Sequence, residues 1–310
     1  MSKHLRDTEV VAVSFSVSLL DVLINLIVAV ITGSAVMLAQ MFQGLSDLIT
    51  AAFLYHGVRA SKRGRDERHD FGHGREVYFW VMISAFFMFF GTGLLSLYFG
   101  YRQFSSPEHV ANGWLALVVL GVVLVTNAYA FYLSVKRLFQ DPNPAKLNWW
   151  QRILRSPMIE TKTTFIVDLL GTSAAIIGLI AIAAFAITGD ARFDGLGGMI
   201  IGLAMMAGSL ALIADVKGLI VGRSLSPHAA KRLVTRIRRL EGVNDVLDLR
   251  SMYIGSTRLL IVIEVHLDDA LSTDEIEVLS DRIKETTGKV VPYAAIVQVE
   301  AETPDEELLV

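Results

Sequence analysis

Six stretches of this chain, roughly residues 10–31, 35–57, 77–101, 113–135, 159–188 and 195–221, are long and apolar enough to cross a bilayer as helices. About 20 mainly apolar residues suffice for a crossing. Lipid offers no hydrogen bonds to a strand or loop, so such segments must be helices that satisfy their own backbone. A bundle of six transmembrane helices is the expected core of the fold. Composition agrees, because 53% of the 310 residues are hydrophobic and only 19% charged, which excludes an ordinary soluble enzyme. Cysteine is absent, so any metal must be held by imidazole or oxygen and disulfides are excluded.

The direction of threading follows from where lysine and arginine fall. The connection between helices 2 and 3 holds Arg59, Lys62, Arg63, Arg65, Arg68 and Arg75, and that between 4 and 5 holds Lys136, Arg137, Lys146, Arg152 and Arg155. The 1–2 turn "TGS" has no basic residue, the 3–4 loop has Arg102, and the 5–6 turn sets Arg192 beside Asp190 and Asp194. Both termini are therefore expected in the cytosol. The polar opening "MSKHLRDTEV" has no small-residue cleavage site and reads as a cytosolic tail. The segment "LNWWQRILRSP" mixes tryptophan with arginine and suits a short helix lying at the membrane surface.

From Ser224 the character becomes soluble. A basic amphipathic helix, "PHAAKRLVTRIRRLEG", precedes two strand-like stretches, a helix opened by the capping pattern "STDE", and a last strand, "YAAIVQVEA". The order α-β-β-α-β predicts a small two-layer α+β domain. The expected division is a transmembrane domain over 1–223, a cytosolic domain over 224–303 and a disordered acidic tail over 304–310.

Three acids lie deep in spanning windows: Asp21 in the first, Asp47 in the second and Asp168 in the fifth. Charges there are costly and mark functional sites. Gln43 precedes Asp47 by one helical turn, and Thr164 precedes Asp168 by the same spacing, so each pair shares a helix face. Two such faces opposed would supply four oxygen ligands. In the 2–3 connection "DERHDFGHG", Asp66, His69 and His73 are spaced to converge on one side of a turn, a plausible nitrogen and oxygen site for a divalent ion.

The segments "TGSAVMLAQMFQGLSDL", "DERHDFGHGREVYFW" and "GTGLLSLYFG", taken with six helices and the αββαβ tail, resemble the cation diffusion facilitator family of divalent-metal/proton antiporters. The resemblance implies a homodimer in a cell inner (plasma) membrane, its soluble domain ferredoxin- or metallochaperone-like. Such a protein would exchange cytosolic metal for protons across the bilayer, with no enzymatic activity and no nucleic-acid partner. It also implies a transport site at Gln43, Asp47, Thr164 and Asp168, and a loop site at Asp66, His69 and His73. A weaker cytosolic site falls at His266, Gln298 and Glu300, with Leu247 standing where a further histidine is expected. Gln43 and Thr164 depart from the family's pattern, which carries histidine or aspartate there. Arg75 matches a bridging lysine, whose acidic partner falls at Gly222, so that interlock of protomers is not carried over.

The departures bear on the ion. Neutral oxygen donors neither favour zinc nor titrate near neutral pH as histidine does, so the site is harder and suits manganese, iron, cobalt or magnesium, with zinc still possible. Divalent metal (Zn, Mn, Fe or Co) is expected as substrate and possible regulator. The alternative is a non-transporting scaffold or metal-sensing relative. Gly198 and Gly202 in "GLGGMIIG" read as helix packing.

Overall fold

A computed structural model describes residues 18–139 and 159–303. The N-terminal tail with the start of the first window, the expected surface helix at "LNWWQRILRSP" and the acidic tail lie outside the described residues. The six windows become α1 (Ser18–Thr32), α2 (Ala35–Ser61), α3 (Glu76–Ser105), α4 (Gly113–Phe139), α5 (Ile159–Thr188) and α6 (Arg192–Val221). All but α1 are long and apolar enough to span within their described residues. Inside α3, Phe87–Gly93 is π-helical, a widened turn that interrupts the regular ladder.

The chain divides into two compact units, Met1–Arg59 with Tyr78–Val216, and Ala60–Val77 with Lys217–Val310. The core of the first unit includes Met37, Met88, Leu120, Ile182, Ile201, Met205 and Leu212, all buried, while Val125, Tyr129 and Ile187 face outward as lipid-facing side chains do. α3 and α6 approach at backbone distance. A Cβ on Gly198 would lie 3.3 Å from the Gly100 Cα, and one on Gly202 would lie 2.6 Å from the Leu97 nitrogen, so both glycines serve packing.

Two buried polar contacts tie this unit together. Asp194, fully buried near the start of α6, caps α2: it accepts from the Ser34 hydroxyl at 2.5 Å and from the Ala35 and Val36 amides at 2.7 and 3.1 Å. These are orphan donors of a helix N-terminus, satisfied by an acid about 160 positions away. Lys162 on α5 reaches Asp215 on α6 at 3.1 Å, a pair almost removed from solvent.

The second unit has the predicted αββαβ order. α7 (Pro227–Ile237) starts at Ser226, whose side chain caps it, and buries Leu233 and Ile237. β1 (Val243–Gly255) pairs antiparallel with β2 (Arg258–Leu267), and β2 pairs parallel with β3 (Ala294–Ala301), giving sheet order β1-β2-β3. Parallel neighbours need a crossover. α8 (Thr273–Val290) supplies it, opened by the Ser272/Glu275 capping box that the sequence predicts. The alternation in "RLLIVIEVHL" buries Leu259, Ile261, Ile263, Val265 and Leu267 on one face.

The connection between α2 and α3 belongs to this unit. Arg75 donates to the Tyr253 carbonyl at 3.4 Å and Arg258 to the Phe71 carbonyl at 3.4 Å. At Gly74 the connection's backbone presses on Ile254 and Gly255 so closely that a Cβ would collide with the Ile254 carbonyl oxygen. The loop is thereby pinned to the β1–β2 hairpin.

Candidate functional site

α2 carries Gln43, Gly44 and Asp47 within one turn, and α5 carries Asp168 and Gly171 likewise. Gln43 Nε2 donates to Asp47 Oδ1 at 2.7 Å, so the pair shares a face as its spacing requires. Gln43 is only 2% exposed, and its carbonyl oxygen Oε1 has no partner among the described residues. Leaving a buried acceptor unsatisfied costs roughly 1–3 kcal/mol. An amide held this way presents a ready oxygen ligand beside a carboxylate.

The second carboxylate approaches from α5. Asp47 Oδ2 lies 3.6 Å from where a Cβ on Gly171 would sit, and Asn127 Nδ2 of α4 lies 3.2 Å from the same point, so glycine is what lets the three helices meet. Asp47 lies within electrostatic reach of both Asp168 and Asp21. Asp168 accepts a short hydrogen bond from the Ser134 hydroxyl of α4 and feels Arg137 on the same helix. Thr164 donates its hydroxyl proton to the Glu160 carbonyl at 2.9 Å, which leaves its oxygen lone pairs as its only offering to a cation.

Asp21, noted in the sequence without a partner, lies against this cluster. Its Oδ2 is 3.4 Å from a Cβ position on Gly44, next to Gln43. Asn25, one turn along α1, is fully buried, and its Oδ1 also lacks a partner among the described residues. Asn127 and Ser134 were not anticipated at all. Their separation of two helical turns on α4 was the available signal, but polar residues of that kind are common in spanning helices.

The loop site is built differently. Asp66 and His69 bridge each other through their backbones, and Gly72 takes a positive φ of 75° that turns the chain back. His69 Nδ1 lies 2.9 Å from Asp66 Oδ1, and His73 Nε2 lies 3.5 Å from Asp66 Oδ2. His73 Nδ1 faces the Gly64 carbonyl at 3.1 Å. A carbonyl can only accept, so the proton belongs on Nδ1 and the Nε2 lone pair is aimed at the cluster. Among the described residues, this trio is the one group of three His, Asp or Glu side chains whose ligand atoms lie within 4.8 Å of one another. Hydrogen bonds to Asp66, from His69 first and the Arg68 amide second, hold its carboxyl below the usual carboxylate range.

The three residues of the weaker cytosolic site lie on β2 and β3. Gln298 donates to Glu300 at 2.7 Å, and Glu300 pairs in register with Glu264, two residues before His266. Arg250 occupies the same neighbourhood, 3.0 Å from Glu264 and 2.7 Å from Asp248, and also acts on Glu300. A guanidinium already balances those acids.

Comparison with known proteins bears on this arrangement. Residues 11–220 match the family described as "Cation efflux transmembrane domain". Similar proteins include the mitochondrial proton-coupled zinc antiporter SLC30A9 of Xenopus laevis, 25% identical over 86% of this chain and 47% of its own length. Its Homo sapiens counterpart is 23% identical over 86% and 47%. The cation-efflux pump FieF of Yersinia enterocolitica is 24% identical over 82% of this chain and 78% of its own length. The chain thus spans about half the length of the zinc antiporters it matches. A family match of this extent runs from before α1 to the last turn of α6 and includes both paired acids, and the family is one of transporters, not enzymes: the chain belongs to the cation diffusion facilitator family.

Proposed function

We propose that the chain exports a divalent cation from the cytosol in exchange for protons, through a site made by Gln43, Asp47, Thr164 and Asp168. The observation that carries this reading is the convergence of Asp47 and Asp168 beside the unpartnered Gln43 oxygen. Carboxylates so placed in an apolar span need a cation or protons to offset them, and exchange of one for the other is the coupling. Oxygen donors alone make a hard site, so manganese, ferrous iron, cobalt or magnesium is favoured over zinc.

Asp66, His69 and His73 bind a second divalent ion that reports cytosolic metal and biases the carrier between its inward-facing and outward-facing states. His266, Gln298 and Glu300 contribute at most a weak third site, given the neighbouring Arg250. The functional form is a homodimer in a plasma membrane with both termini in the cytosol; the distribution of basic residues supports that orientation. The relatives' names support efflux and proton coupling.

The test is uptake by liposomes holding the purified protein and a trapped pH indicator, with manganese, iron, cobalt, zinc, cadmium and magnesium offered in parallel. Metal entry accompanied by counter-moving protons supports the reading. Failure to move any of the six ions by the intact protein rejects it in favour of a scaffold or sensor.

A further inference from the structure

The basic helix α7 takes no part in either metal centre. Leu233 and Ile237 anchor it from one side. On the other side His228, Lys231, Arg232 and Arg236 fall along one broad face of the helix, and Arg239 follows in the turn just after it. With Lys289 from α8 they line a groove of about 780 Å³, a volume in the range of small-molecule sites. No carboxylate is among its lining residues.

The two helices treat their charges differently. On α8, Lys284 pairs with Asp281 at 3.0 Å and Lys289 with Glu285 at 2.6 Å. Just beyond α7, Arg238, which does not line the groove, pairs with Asp245 at 2.7 Å. Lys231, Arg232, Arg236 and Arg239 have no acidic partner among the described residues. Arg232 and Arg236 sit one turn apart, where like charges repel. Such an arrangement opposes helix stability, and a polyanion laid along it would reverse the sign of that term. Adjacent guanidinium forks match phosphoryl oxygens in geometry as well as charge.

We propose that this groove is a binding site for a multiply charged phosphate group. Two sources share that chemistry, an anionic lipid headgroup and a soluble polyphosphate. The short connection from the end of α6 at Val221 to the start of α7 at Pro227 gives the lipid a physical case, since basic segments close to a spanning helix attract anionic leaflets.

The test uses full-length protein in phosphatidylcholine nanodiscs, stripped of metal so that phosphate cannot bind through a loop-held ion, and titrated with inorganic tripolyphosphate by calorimetry. Arg232→Gln combined with Arg236→Gln is compared with a charge-matched control, Arg238→Gln combined with Arg250→Gln. The groove pair should weaken binding by about tenfold or more, and the control pair by less than about twofold. Repeating the titration in discs containing cardiolipin separates the sources: loss of tripolyphosphate binding there assigns the groove to lipid, and unchanged binding assigns it to a soluble ligand. Absence of tripolyphosphate binding in phosphatidylcholine discs, or equal weakening by both double variants, overturns the proposal. Neither result depends on whether the protein transports metal.

Discussion

The two metal centres proposed for this chain are opposites in construction. The membrane cluster draws side chains from α1, α2, α4 and α5, uses oxygen throughout, and hides Gln43 at 2% exposure. The loop cluster draws on eight consecutive positions, includes two imidazoles, and leaves the Asp66 side chain 53% exposed. A site built from separated helices changes whenever those helices move, which suits a carrier that must bind on one side and release on the other. A site built within one short turn, pinned by Gly74 to the β1–β2 hairpin, keeps its ligands together and suits a sensor. The donor sets diverge accordingly, hard oxygen at the proposed transport site and borderline nitrogen at the proposed sensing site.

The sharpest way to break this contrast is to remove one carboxylate from each centre. Asp47→Ala or Asp168→Ala should lower metal-dependent proton flux by about a hundredfold or more, because an ion ligand lost in a low-dielectric site costs several kcal/mol. Both variants should keep the metal held by the loop. His73→Ala should do the reverse, losing the loop ion at equilibrium dialysis while flux at saturating metal persists. If either substitution abolished both properties, the centres would not be separable as described.

Next in size is the donor set itself. Gln43→His together with Thr164→His should move the zinc-to-manganese preference toward zinc by about tenfold for each imidazole added, measured by competitive uptake. No change in the ratio would show that selectivity is set by cavity shape and not by donors. Smaller again is the contribution of Asp21. It approaches Gly44 rather than the ligand atoms, so Asp21→Asn should weaken divalent binding by several-fold through lost charge alone, in about equal measure for manganese and zinc. An effect as large as that of Asp47→Ala would promote Asp21 to a direct ligand.

How much of this was legible in the sequence follows from the same contrast. The loop trio could be read directly, because Asp66, His69 and His73 lie within one turn and local spacing fixes what they can reach. The pairs on α2 and α5 were legible for a related reason, since helical periodicity puts Gln43 with Asp47 and Thr164 with Asp168 before any packing is known. What spacing cannot give is which helix faces which. Ser134 and Asn127 enter the membrane cluster, and Asp194 caps α2, only through the packing of helices distant in sequence. Charge patterning had a similar limit at Arg250: its place among Asp248, Glu264 and Glu300 depends on strand register, and a list of acids and histidines does not carry it.

The smallest effect concerns acid, and it separates the loop's architecture from its metal. Hydrogen bonds from His69 and the Arg68 amide place the Asp66 carboxyl below the ordinary carboxylate range. A group whose folded value is depressed contributes stability that is complete above its unfolded value, about 4 for aspartate, and that is lost only as pH falls through the folded value. The Arg68 and His69 amides, which donate to Asp66 at 3.0 and 2.9 Å, should therefore keep their hydrogen-exchange protection from pH 7 down to about pH 5, and lose it only below about pH 4. Metal can be removed independently, by a chelator at pH 7, and there the turn should stand ordered with its ion gone. If the amides lost protection together with the metal, the ion and not Asp66 would be what shapes the loop, and the preformed sensor would give way to one that folds on binding.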